Sequence, residues 1–132
     1  MFASIAKMLR WCPRWGVSAA VVALILWLTL APHPVGDTEL PLFPGADKLV
    51  HAIMFGALTL CLWFDSGRRS GSWNPPSMPT TLGFALASAL FGLLIEWLQL
   101  RMQMGRGFEW ADAAADLAGC LLVWIITGLV RR

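Results

Sequence analysis

A chain of 132 residues has room for one domain, and 58% hydrophobic against 14% charged side chains leaves too few polar groups to cover that domain in water. Together with a mean hydropathy of +0.65, this excludes an ordinary soluble domain and identifies an integral membrane protein. The formal charge of +2 comes from basic residues scattered at expected helix ends, which excludes a nucleic-acid-binding face. The three cysteines, Cys12, Cys61 and Cys120, have neither metal-ligand spacing nor a disulfide framework, and Cys61 and Cys120 read as buried, inert thiols.

Phe2, Ile5, Ala6 and Leu9 recur at helical spacing among Lys7, Arg10 and Arg14. Residues 1–14 are therefore expected to form a short amphipathic helix on the membrane surface. From Trp15 to Ala31 the chain is uncharged and apolar, a first span ended by Pro32 and Pro34. A cleaved secretory leader is the competing reading of this stretch. The further spans downstream favour a retained helix. A proline-rich loop reaches to Ala46, and a second span covers about 47–64. Asp65 to Pro79 reads as a flexible connector, followed by a third span over about 80–100 and a fourth over about 111–130. Ser88 with Gly92, or Ala85 with Ala89, gives the small-residue spacing of close helix packing. Trp15, Trp27, Trp97, Trp110 and Trp124 fall near helix ends, where indole rings anchor at the interface. The expected fold is thus all-α, a bundle of four transmembrane helices with an N-terminal interfacial helix.

With four spans, Lys7, Arg10, Arg14, Arg68, Arg69 and the two C-terminal arginines share one side, which makes both termini cytoplasmic. The loop carrying Arg101, Arg106 and Glu109 then faces outward.

On this topology the ionisable residues gather. Asp47, Lys48 and His51 share a face at the outer end of the second span, Glu96 and Gln99 sit at the outer end of the third, and Asp112 and Asp116 at the outer start of the fourth. His51, Glu96 and Asp116 each lie about one turn (~5 Å) inside their helix ends, at similar depth. Asp47 and Asp112 also suit helix N-termini as caps. Glu96 does not: it follows an uncharged run from Leu82 to Ile95 and lies near a helix C-terminus, so it needs a partner, with Lys48, His51 and Arg106 as candidates. Arg101 and Glu109 read as solvated loop charges, and Gly119 as a point of close helix approach. Two outward helix N-termini with Lys48 and Arg106 would stabilise an anion. The neighbouring carboxylates could act as acid and base, or hold a divalent cation bridging to a phosphate. A phosphate-bearing lipid fits this description, and so does an internal salt-bridge network.

Four pieces in order, Asp47-Lys48-x-x-His51 with Phe55 one turn on, Glu96-x-x-Gln99, Gly105-Arg106, and Asp112-x-x-x-Asp116-x-x-Gly119, resemble the signature of the VanZ-like family of small bacterial membrane proteins. The resemblance covers roughly residues 41–128. Members commonly carry Asn where this chain has Asp116. It implies residues 15–132 as one VanZ-like four-helix domain in the bacterial inner membrane and a link to the cell envelope, with envelope-biogenesis proteins as partners, the family's namesake being an accessory of glycopeptide antibiotic resistance. It names no reaction, cofactor or metal.

The combined expectation is an outward-facing site that binds or processes an anionic envelope lipid. His51, Glu96 and Asp112 are its candidate catalytic residues; Asp47, Lys48, Gln99, Arg106 and Asp116 are its candidate ligand-binding residues. The alternative is a non-enzymatic accessory protein locked by an internal polar network. A transporter is a third reading, disfavoured because the spans show neither an inverted repeat nor a mid-membrane charge. The topology predicts activity from a periplasm-only reporter fused at position 104; a silent fusion contradicts it.

Overall fold

The computed structural model describes residues 1–30, 46–69, 72–102 and 109–131, without the side chains of Asp47 and Arg69. Within them lie five helices, α1 (Phe2–Met8), α2 (Gly16–Leu30), α3 (Ala46–Gly67), α4 (Met78–Arg101) and α5 (Trp110–Val130). Two short strands, β1 (Arg68–Arg69) and β2 (Ser72–Trp73), pair antiparallel between α3 and α4, with Arg68 opposite Trp73. Three stretches are long and apolar enough to cross a membrane: Lys48–Gly67, Met78–Arg101 and Trp110–Val130. At ~1.5 Å per residue each spans the ~30 Å of a hydrocarbon core. The 15 residues of α2 reach only ~22 Å. Of the expected first span, Gly16–Leu30 is present as an apolar helix, and Ala31 lies outside the described residues. Leu90, Leu122, Ile125 and Leu129 are exposed on the outer faces of α4 and α5, as helices against lipid require.

The helices alternate in direction. At one end, the start of α2 meets the end of α3 through Ser18, whose N–H and hydroxyl both donate to Asp65 Oδ2 at 2.8 Å. At the other, Gln99 near the end of α4 donates its amide to the Thr29 carbonyl near the end of α2, at 2.8 Å. Between them Ile25, Phe55, Leu58, Ala85, Ile95 and Cys120 form the core. Where α3 crosses α5, Gly56 and Gly119 remove the side chains that would hold the backbones apart. A Cβ at Gly119 would overlap the Ala52 carbonyl, and one at Gly56 would come within 3.2 Å of the Gly119 carbonyl oxygen.

The stretch read as a flexible connector is built differently. α3 continues to Gly67, the hairpin follows, and α4 starts at Met78, where the Ser77 hydroxyl accepts the Thr80 N–H at 3.3 Å. The reason is a buried ion pair. Asp65, fully buried, accepts from Arg68 Nε at 2.8 Å. The remaining guanidinium hydrogens go to the carbonyls of Leu9, Cys12, Pro13 and Arg14. One arginine thereby satisfies the turn joining α1 to α2, so the N-terminal segment is pinned to the bundle. α1 adds Phe2, edge-on to Trp63 at 5.1 Å and stacked on Trp73 at 5.2 Å between ring centroids. Trp124, expected as an interfacial anchor, is half-buried and donates its indole N–H to the Met78 carbonyl at 3.1 Å.

Replacing Gly119 by Ala should lower stability in detergent by about 1–3 kcal/mol through overpacking against backbone. Gly83→Ala, where nothing lies within 4 Å of the added methyl, should be neutral or stabilising by up to ~1 kcal/mol. Thermal unfolding of the two variants side by side checks the crossing; equal effects would contradict it.

Candidate functional site

The polar residues of the first turns of α3 and α5 and the last turns of α4 meet at the end of the bundle opposite Asp65. His51 stands on α3 above Phe55, the rings 6.2 Å apart and inclined by 27°. Its Nδ1 lies 3.0 Å from Asp116 Oδ1, a carboxylate with no exposed surface. An ionised carboxylate only accepts, so Nδ1 carries the hydrogen of this bond, while Nε2 is a lone pair in the neutral ring and a second N–H in the imidazolium. Nε2 points toward Asp112, whose Oδ2 is 3.8 Å away. Asp112 and Asp116, four residues apart, thus grip opposite edges of one imidazole from a single face of α5.

Glu96 arrives from α4 and is 1% exposed. Its Oε2 accepts the Glu109 backbone N–H at 3.4 Å, while Oε1 meets no hydrogen-bond donor among the described residues and lies 4.0 Å from His51 Nδ1. One turn before Glu96, Gly92 makes the space in which Asp116 sits: a Cβ there would come within 2.5 Å of Asp116 Oδ2. Gly92 was expected only as a packing residue, yet it is the position on α4 that admits a buried acid from α5. Toward the exposed rim, Lys48 Nζ pairs with Glu109 Oε2 at 2.7 Å and with Asp112 Oδ1 at 3.1 Å.

His51, Glu96, Asp112 and Asp116 therefore converge, with Lys48 at their edge. Gln99 is not brought in: three residues past Glu96 it points about 60° further round α4. There it satisfies the Thr29 carbonyl, one of the acceptors a helix end leaves open. Arg106 and the side chain of Asp47 lie outside the described residues. Glu109, read as a solvated loop charge, is exposed, and it is also the N-cap residue of α5 and an ion-pair partner of Lys48. Its spacing of three from Asp112 was the available clue, since both then reach the same cation. Arg101, by contrast, is exposed and lies over the Trp97 ring at 5.7 Å. Cys120 is fully buried with its thiol directed at the Phe55 carbonyl at 3.4 Å, in keeping with a packing role.

Among the described residues the cluster sets the carboxylates of Glu96, Glu109, Asp112 and Asp116 against one ammonium and one imidazole. Its field favours a cation, and the imidazole bridged between acids is a relay able to hold or pass a proton.

The sequence profile of the VanZ/LLP1 family matches residues 2–131. No curated protein and no solved structure matches.

Asp116→Asn retains an oxygen that can accept from His51 Nδ1, whereas Asp116→Leu leaves that donor unpaired. The first should stay within about 1 kcal/mol of the parent and the second should lose a further 1–3 kcal/mol. Unfolding curves, with the His51 N–H resonance as a local probe, check this. Equal stability of the two variants would contradict the pairing.

Proposed function

The chain belongs to the VanZ/LLP1 family and is a multi-pass membrane protein, and from that premise we propose that its polar cluster binds or processes a phosphate-bearing lipid of the cell envelope. The observation that carries this reading is the convergence of His51, Glu96, Asp112 and Asp116 from three helices at one end of the bundle, two of which also line an apolar crevice. That crevice, about 490 Å³, runs between α4 and α5 along Leu86, Ala89, Leu90, Ala114, Leu117 and Trp110. It suits a hydrocarbon chain whose head group sits at the Lys48 rim of the cluster, with a cation between the phosphate and the carboxylates. Lys48 is the available anion contact: its side chain is 36% exposed and that of Glu109 is 54% exposed. Such a pair contributes about 0–1 kcal/mol, so a phosphate oxygen can replace Glu109 at little cost. In this reading Glu96 is the acid or base, His51 with Asp116 accepts or returns the proton, Asp112 orients Nε2, and Arg106 supports the phosphate from the loop.

The membrane arrangement belongs to the same proposal. α2 acts as the fourth span, supported by its bonds to α3 through Ser18 and to α4 through Thr29, eleven residues (~16 Å) apart along its axis. α1 lies at the interface on the side of Asp65, which with its basic neighbours is the cytoplasmic side of the inner membrane. The cluster then opens outward, where envelope lipids are assembled.

A second reading has its own support. His51 with Asp116 and Lys48 with Glu109 form internal pairs, as a network that merely locks the helices would have. Glu96→Gln separates the two. A functional site predicts a variant that melts within a few degrees of the parent yet fails in an envelope assay, whereas a lock predicts stability and function falling together.

Native mass spectrometry of the detergent-purified protein should show a retained phospholipid or isoprenoid phosphate. The folded Lys48→Gln/Arg106→Gln double variant should lose it. Unchanged lipid content in that variant would contradict the proposal.

A further inference from the structure

A cluster that gathers several acids around one imidazole invites an ion, and two features here go beyond the count of charges. The first is a buried oxygen that meets no donor among the described residues. Glu96 is 1% exposed and its Oε1 lies in the cluster, 4.0 Å from His51 Nδ1. The second is the way His51 is held. Its Nδ1 meets Asp116 Oδ1 at 3.0 Å, so the neutral ring with Nδ1 as donor keeps its lone pair on Nε2, on the side of Asp112. A carboxylate behind the imidazole fixing tautomer and ring plane is the arrangement that metal-binding histidines use. Asp112 divides its oxygens accordingly, Oδ1 to Lys48 at 3.1 Å and Oδ2 toward His51 at 3.8 Å.

We propose that His51, Glu96 and Asp112 hold a divalent transition-metal ion of the Zn²⁺ or Mn²⁺ type, with Asp116 as the residue that positions the imidazole. One donor atom from each of the three side chains lies within 4.8 Å of the others. Bonds of about 2.0–2.2 Å in a tetrahedral shell set neighbouring donors about 3.3–3.6 Å apart, so side-chain rotations that draw the set together by about 1.2–1.5 Å complete the shell. One nitrogen with two carboxylates suits these ions, whereas Mg²⁺ and Ca²⁺ prefer oxygen alone. Three protein ligands leave coordination positions open. His51 and Asp112 are each 9% exposed, which gives those positions a path to the surface of the bundle. The ion's use toward a phosphate rests on the function proposed above; its binding does not.

The test uses the full chain in phosphate-free detergent, stripped with a chelator and dialysed, so that lipid plays no part. Titration with Mn²⁺ followed by electron paramagnetic resonance, and with Zn²⁺ followed by elemental analysis, should give one ion per chain. Pulsed spectra of the Mn²⁺-loaded parent should show coupling to an imidazole nitrogen. His51→Gln and Asp112→Asn should each weaken binding by roughly tenfold or more. The proposal is overturned by a parent that takes up no stoichiometric ion, by the absence of nitrogen coupling, or by a His51→Gln variant that melts normally and binds as tightly as the parent. Because the nitrogen coupling is read on the parent, an unfolded variant does not decide the outcome. Loss of lipid capture with the ion still bound would remove the lipid reading and leave this one standing.

Discussion

The buried hydrogen bond between His51 and Asp116 is the contact around which the polar end of the bundle is arranged. A carboxylate with no solvent exposure is tolerated in an apolar interior only if a donor meets it, since the penalty for an isolated ion is several kcal/mol. That requirement fixes the facing surfaces of α3 and α5, and the glycines supply the means. Gly119 lets the α5 backbone approach Ala52 on α3, and Gly92 leaves room on α4 for the carboxylate itself. Packing and polarity thus specify the same register, because sliding α5 by one turn would bury Asp116 against the Phe55 and Leu58 layer without a partner.

The opposite end obeys the same rule with a different outcome. Asp65 is also fully buried, but Arg68 and Ser18 satisfy it, and the rest of the guanidinium is used by carbonyls of the turn before α2. This end is a closed knot that attaches the N-terminal segment. The His51 end keeps an unfilled acceptor on Glu96 and a surplus of carboxylates. The two ends thus differ in how far their buried polar groups are satisfied among the described residues.

Much of this was legible from spacing alone. The three long helices follow from uninterrupted apolar runs, and the convergence of His51, Glu96 and Asp116 follows from equal depth along antiparallel helices, with Glu96 flagged by its place near a C-terminus. What spacing could not supply was rotation about each axis. Gln99 shares a motif with Glu96 yet faces α2, because one turn is 3.6 residues and not three. Glu109 looked like a loop charge because its partner, Lys48, is 61 residues away in sequence. The Asp65–Arg68 knot was hidden for a related reason: an acid and a base beside Gly, Ser and Pro read as a connector until the carbonyls of residues 9–14 are seen to need donors.

The account stands on energetic coupling between residues that only the folded bundle brings together. Double-mutant cycles on reversible unfolding, pairing His51→Leu with Asp116→Leu and with Glu96→Gln, measure it directly. Coupling of about 0.5–3 kcal/mol in both cycles is the expected result for side chains sharing one buried network. Free energies that add to within about 0.3 kcal/mol would mean that the three helices do not form a common site.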